Sequence, residues 1–168
     1  MEYLCRTHSP IGELTLASDG EHLIGLWIDG QKYFAAGLGE AVEEHLPVFD
    51  LTKEWLNVYF SGSEPGFTVP LAPKGSPFRQ SVWRALCHIP FGQVVTYGSI
   101  AQELAKGGAP SSARAVGNAV GHNPISILIP CHRVVGANGS LTGYAGGIDR
   151  KIELLRREKA PLHTLRLS

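Results

Sequence analysis

Apolar residues recur along this chain with two different periods, and the change from one to the other divides it. In the first 60 residues they come in short runs, Leu14-Thr15-Leu16-Ala17-Ser18 and Leu23-Ile24-Gly25-Leu26-Trp27-Ile28, closed by Asp19-Gly20 and Asp29-Gly30. Runs of that length ended by Asp-Gly read as strands joined by tight turns, since glycine takes the positive φ such turns need. Between Pro47 and Phe60 the period lengthens. Leu51, Trp55, Val58 and Tyr59 fall at i, i+4, i+7 and i+8, a helical stripe. Ser61 to Gly66, then Pro70, Pro73, Gly75 and Pro77, interrupt any periodic element and predict a linker. The chain therefore reads as a β-rich domain over 1–76 followed by a second domain over 77–168.

The second half is mostly helical in pattern. Ser76-Pro77 is an N-cap followed by proline at the first helical position, and Phe78, Val82, Trp83 and Leu86 share one face before Pro90-Phe91-Gly92 stops the helix. A second helix starts at Thr96 and carries Tyr97, Ile100, Ala101 and Leu104. After the loop from Lys106 to Pro110, a third begins at Ser111 or Ser112 and runs through Arg114, Ala115, Val116, Asn118, Ala119 and Val120. Two short helices joined by a turn suit a helix-turn-helix or an ordinary helical hairpin, and periodicity alone does not choose. The run Ile125 to Val134 reads as a strand, Ala137-Asn138-Gly139-Ser140 as a hairpin turn, and Ile148, Ile152 and Leu155 mark a last helix that ends among Arg156, Arg157 and Lys159. The fold class expected is α+β.

Composition narrows the class without naming it. Hydrophobic residues at 43% and charged residues at 18% fit a globular protein rather than a disordered one, and no apolar run approaches the ~20 residues that span a bilayer. The N-terminus lacks the basic and apolar segments of a secretory signal, and three cysteines without framework spacing suit a reducing compartment, so a cytoplasmic location and no membrane partner are expected. The zero net charge conceals an asymmetry. Residues 1–76 hold four Lys and Arg against eleven Asp and Glu, and residues 77–168 hold the reverse. The basic half calls for a polyanionic partner, or else for plain solvation.

The chemistry concentrates in Ile129-Pro130-Cys131-His132-Arg133-Val134, where a thiol stands beside an imidazole. Cysteine attacks as thiolate, and a free thiol with pKa about 8.5 needs a base or a positive charge nearby. A packed core cysteine is the plain alternative. A metal site is disfavoured, because adjacent ligands seldom converge on one ion and neither Cys5 with His8 nor Cys87 with His88 has further partners in sequence. Gly143 to Gly147 lacks a phosphate-loop pattern and reads as a loop for close approach.

Five segments together carry a resemblance: Pro130-Cys131-His132-Arg133-Val134, Arg114-Ala115-Val116-Gly117, Asn123-Pro124, Tyr144-Ala145-Gly146-Gly147 and the closing Lys151 to Glu158 helix. In order and spacing, over roughly 77–160, they resemble the O6-alkylguanine-DNA alkyltransferases, also called methylated-DNA–protein-cysteine methyltransferases. The acidic half resembles that family's N-terminal domain only loosely. The resemblance implies an RNase H-like N-terminal domain and a winged-helix-like C-terminal domain with a helix-turn-helix. It implies DNA repair by a monomer that needs no cofactor or metal, moving an alkyl group irreversibly from O6 of guanine in double-stranded DNA onto Cys131.

The same resemblance assigns roles. His132 takes the thiol proton through a water, Glu158 orients that imidazole, and Asn123 holds the backbone between the DNA-binding helix and the cysteine segment. Arg114 fills the stack vacated by a flipped base, and Tyr97 crowds the flipped nucleotide's phosphate and donates to the base. The small residues Ala115 and Gly117 let their helix enter the minor groove. Val134, Tyr144 and Ala145 belong to the guanine pocket, the backbone at Val134 and Ala145 reading the base edge. Many relatives carry serine where this chain has Ala145, which removes a hydroxyl and keeps the backbone donor. The rivals are a protein that binds alkylguanine without repairing it, which would lack the cysteine, and a thiol hydrolase, which would turn over repeatedly.

Overall fold

The computed structural model describes residues 1–167, and they divide into two compact units, residues 1–74 with 124–126, and residues 75–123 with 127–167. In the first unit the strands β1 (Glu2–Thr7), β2 (Leu14–Ser18), β3 (Leu23–Ile28) and β4 (Ala41–Glu43) form one sheet in the order β3-β2-β1-β4. The pairs β1–β2 and β2–β3 are antiparallel, and β4 adds parallel to β1. Every residue of β2 and β3 is buried, so both faces of the sheet's centre are covered. A register shift between Ala17 and Ser18 brings Ile24 beside Ala17 and Trp27, where Ala35, Leu38 and Ala72 pack on them. Gly25 is required there, because a Cβ would stand 2.2 Å from the Trp27 ring.

Helix α1 (Pro47–Phe60) packs on β2 and β3. Its bounds match the sequence pattern, but its face is turned. Val48, Phe49, Thr52, Leu56 and Tyr59 are buried, and the stripe residues Leu51, Trp55 and Val58 are half-buried beside it. Polar Thr52 sits inside because its hydroxyl donates to the Val48 carbonyl at 2.7 Å, which removes the desolvation penalty of an unpaired hydroxyl. Residues 124–126 belong to this unit although they are distant in sequence. The Leu26 amide donates to Pro124 O and the Ser126 amide to Leu26 O, closing a bridge between Leu26 and Ile125.

In the second unit, α2 (Pro77–Leu86), α3 (Tyr97–Lys106) and α4 (Ala113–Gly121) start where the sequence placed their caps. Ser76, Thr96 and Ser112 accept from the amides of Arg79, Ser99 and Ala115, an arrangement that contributes about 1 kcal/mol per helix. Buried Trp83 ties α2 to α4 by donating from Nε1 to Ala119 O at 2.8 Å. The closing helix α5 (Ile148–Arg157) buries Leu154 and Leu155.

Two expectations fail in the segment that joins these helices. Residues 127–133 are not a strand. Turns lead from Asn123 to Pro130, Ile127 adopts φ 73°, and Cys131–Arg133 forms a single 3-10 turn. The cause is local: Pro124 and Pro130 offer no amide to a ladder, and the Ile129 carbonyl is taken by the Asn123 side chain at 2.8 Å. The turn at Asn138-Gly139 does form, with both residues at positive φ and the Gly136 amide donating to Ser140 O. It is not a two-stranded hairpin. Strand β5 (Val95–Thr96) pairs parallel with β6 (Val134–Val135), and β7 (Ser140–Leu141) pairs parallel with β8 (Arg166–Leu167). These short pairs rest on a cluster of Val135, Leu141, Leu155 and Ala160.

Candidate active site

Cys131 is the first residue of the 3-10 turn, and burial of 95% makes its thiol an interior group. Burial pushes that thiol above its ordinary value. The Asn123 side chain, the Lys151 ammonium and the backbone amides of Cys131 and His132 pull it the other way. The turn thus points its own donors at the sulfur, while Asn123 spans from the thiol to the Ile129 carbonyl and fixes the backbone just before it.

His132 is fully buried, and its Nε2 lies 2.5 Å from Glu158 Oε2. Glu158 caps the end of α5. Burial alone would raise its carboxyl, yet the hydrogen bonds and charges of His132 and Arg133 hold it at about 2. A carboxylate this acidic only accepts, so Nε2 carries the proton and Nδ1 the lone pair. The imidazole itself is pushed down, first by burial and then by the charges of Arg133 and Lys151, against the opposing pull of Glu158. A neutral imidazole with its lone pair on Nδ1 is able to take a proton, and it stands next in sequence to the buried thiol.

Two further side chains complete this interior, and the sequence reading gave neither a role. Arg133 donates from Nε to Glu158 Oε1 at 2.9 Å and from Nη2 to Oε2 at 3.2 Å, and its Nη1 donates to Ile89 O at 2.8 Å. The Gly92 amide adds a donor to Oε1 at 3.0 Å. Lys151 is fully buried, and its ammonium donates to Val134 O at 2.6 Å and to Thr142 O at 2.9 Å. Burial lowers it to about 8, with the Cys131 charge opposing. A signal for Lys151 existed. It lies three residues after Ile148 and four before Leu155, on the apolar stripe of its helix, where a lysine must find buried partners.

Of the remaining sequence candidates, Tyr97 joins this group. Tyr97, the first residue of α3, donates its hydroxyl to Thr142 O at 3.1 Å, so Tyr97 and Lys151 meet on one carbonyl. Its phenol is pushed up by burial and by the Cys131 charge, against the Thr142 bond. A Cβ at Gly143 would stand 3.1 Å from that hydroxyl, and one at Gly117 would touch the ring at 3.8 Å. Tyr144 is buried and Ala145 half-buried in the loop before α5. Arg114 is exposed in the first turn of α4, with Ala115 half-buried beside it. Among the described residues, no three His, Cys, Asp or Glu side chains gather as a metal site requires.

The depressed Glu158 carboxyl makes stability depend on acid. In the unfolded chain it titrates near 4.5 and in the fold at about 2, so its contribution is complete above pH 4.5 and is lost as pH falls toward 2. Urea denaturation at stepped pH is expected to show that loss, and Glu158→Gln to flatten this part of the curve.

Comparison with known proteins gives a consistent picture. Residues 77–160 match the family model of the 6-O-methylguanine DNA methyltransferase DNA binding domain, and residues 3–73 match that of the 6-O-methylguanine DNA methyltransferase ribonuclease-like domain. A methylated-DNA–protein-cysteine methyltransferase of Mycobacterium tuberculosis is 47% identical over 156 residues, covering 90% of this chain and 89% of the relative. One from Methanosarcina acetivorans is 44% identical over 157 residues, covering 93% and 97%. The crystal structure of Mycobacterium tuberculosis OGT in complex with DNA superposes with a TM-score of 0.83 at 44% identity, covering 96% of this chain and 98% of that one.

Proposed function

The chain belongs to the methylated-DNA–protein-cysteine methyltransferase family, and we propose that Cys131 is the cysteine its reaction consumes. The protein is a DNA repair enzyme that transfers an alkyl group from DNA to a cysteine. The observation that carries the assignment is the buried Cys131 thiol next to His132, whose other nitrogen is clamped by Glu158 at 2.5 Å. Burial pushes the Cys5 and Cys87 thiols up as it does Cys131, with Lys53 and Arg133 opposing, but the asparagine and backbone donors are directed at Cys131.

In the reaction, His132 Nδ1 takes the thiol proton through a water. The sulfur pair attacks the alkyl carbon on O6 of guanine, the carbon–oxygen bond breaks, and its electron pair stays on the purine, which accepts a hydrogen bond from the Tyr97 hydroxyl while the proton held by His132 balances the charge. The product is a thioether. No water can hydrolyse it under these conditions, so each chain acts once. A buried thiol cannot reach a stacked base, and the guanine must therefore leave the duplex. The helix pair α3–α4 serves as the helix-turn-helix that delivers it. The small residues Ala115 and Gly117 allow α4 into the minor groove, Arg114 replaces the departed base in the stack, and the backbone at Val134 and Ala145 reads the extruded guanine, with Tyr144 behind them. The protein works as a monomer in the cytoplasm, where its free thiols stay reduced.

Duplex DNA carrying a labelled methyl group on O6 of guanine tests this function. Label is expected to move to protein and stop at one group per chain, and continued turnover would instead indicate a hydrolase. Arg114 separates base extrusion from chemistry. Arg114→Ala is expected to slow duplex repair by roughly tenfold or more, because unstacking a base costs a few kcal/mol, and to leave reaction with free O6-benzylguanine unchanged. Equal slowing on both substrates would contradict the stacking role.

A further inference from the structure

We propose that Arg133 is a positioning residue of the relay: its guanidinium neutralises the Glu158 carboxylate, so that His132 rests as an uncharged base beside an uncharged thiol. This rests on Cys131 and His132 acting as nucleophile and base. The geometry is that of a closed pair. Both Glu158 oxygens accept from Arg133, at 2.9 Å and 3.2 Å, the Arg133 side chain is 10% exposed and Glu158 is not exposed at all. The third donor, Nη1, anchors to Ile89 O, and Phe91 lies beneath the guanidinium at 5.7 Å. The fork therefore cannot swing away, and the carboxylate orients the imidazole without delivering a full negative charge to it.

Charge accounting shows what the pairing does. Burial favours the neutral imidazole, but a lone carboxylate 2.5 Å away favours imidazolium and so raises the pH at which His132 can accept the thiol proton. The groups facing His132 and Arg133 are Glu158 and Lys151 from α5, Cys131 on the same 3-10 turn and Cys87 at the end of α2. Tyr97 from α3 interacts with Cys131. Of these only Glu158 is anionic at rest, and Arg133 is its direct partner. Removing the guanidinium adds one uncompensated negative charge to the thiol–imidazole couple, which holds both of its protons more tightly.

The test is the pH dependence of single-turnover alkylation by O6-benzylguanine, a substrate that requires no base extrusion. In Arg133→Met the acid limb of the profile is expected to move up by about one pH unit or more, the range for an opposite charge at hydrogen-bonding distance. In Arg133→Lys, which keeps the charge and loses the fork, the limb is expected to stay in the wild-type position while the plateau falls. Arg133→Met combined with Glu158→Gln, which removes both charges, is expected to return the limb toward wild type. Circular dichroism establishes that each variant is folded. An unmoved limb in folded Arg133→Met, or an equal shift in Arg133→Lys, would overturn the inference and leave Cys131 as acceptor. Wild-type protein that takes no alkyl group on Cys131 would remove both. Should Arg133→Met not fold, the Arg133→Lys and double-variant limbs decide the question.

Discussion

Cys131→Ala is expected to bind a duplex containing O6-methylguanine and to transfer nothing. The reaction is displacement at saturated carbon, for which a soft thiolate is suited, and no other nucleophile is prepared in the same way. Burial pushes all three thiols up, and the Asn123 side chain and backbone amides that oppose it are directed at Cys131. The substitution removes one sulfur from the 3-10 turn and leaves the contacts that shape it, Asn123 to Ile129 O and Lys151 to Val134 O, between other groups. Phosphate contacts, which supply much of the affinity in DNA binding, do not involve a thiol. Electrophoretic mobility shift and methyl transfer on the same preparation separate the two properties. Residual transfer in Cys131→Ala would place the acceptor elsewhere.

The second large effect concerns the base. His132→Ala is expected to slow alkylation by O6-benzylguanine at neutral pH by about 10²- to 10⁴-fold, the usual contribution of a positioned general base. Burial has pushed the thiol up, so without the imidazole the donors around it do not produce enough thiolate. The loss should shrink as pH rises, because hydroxide then removes the proton that His132 no longer takes. Glu158→Gln is expected to slow the reaction less, since an amide can still meet Nε2. It should also destabilise the unit by about 3–5 kcal/mol, because the buried Arg133 loses its counter-charge. Single-turnover rates across pH, with urea denaturation for stability, measure both. Unchanged rates in His132→Ala would mean that the amides, Asn123 and Lys151 alone set the reactivity of the thiol.

Much of this protein was legible because local chemistry and tertiary structure agree. Ser76, Thr96 and Ser112 cap helices in the fold as their positions in sequence require, and the Asp-Gly pairs end β2 and β3 where alternation stops. What escaped depends on which groups satisfy the backbone and the buried polar atoms. An apolar run from Ile125 to Val134 looks like a strand until the ladder partners are counted, and here a side-chain amide and two prolines replace them. Asn138-Gly139 dictates a turn but not which strands flank it, and β6 and β7 each pair elsewhere. Thr52 faces inward on α1 because a backbone carbonyl four residues back satisfies it, which a hydropathy stripe does not register.

The site divides along the same line. The adjacent thiol and imidazole are visible in any reading of residues 131–132. Glu158 is an ordinary charge near the end of a basic helix until resemblance or the fold brings it to His132. Arg133 looks like one more cation of a basic half, although three of its nitrogens are bound within the interior. Buried charges in particular cannot be read from composition, because their cost is decided by partners that only the fold assembles.

With Cys131 as acceptor, one residue takes the alkyl group, once. The most direct measurement is intact mass followed by peptide mapping of the wild-type protein after incubation with excess duplex containing O6-methylguanine. A single added methyl group per chain, carried entirely by the peptide that contains Cys131, is expected. Methyl groups on the Cys5 or Cys87 peptides, more than one per chain, or methanol released with the protein unmodified would contradict it.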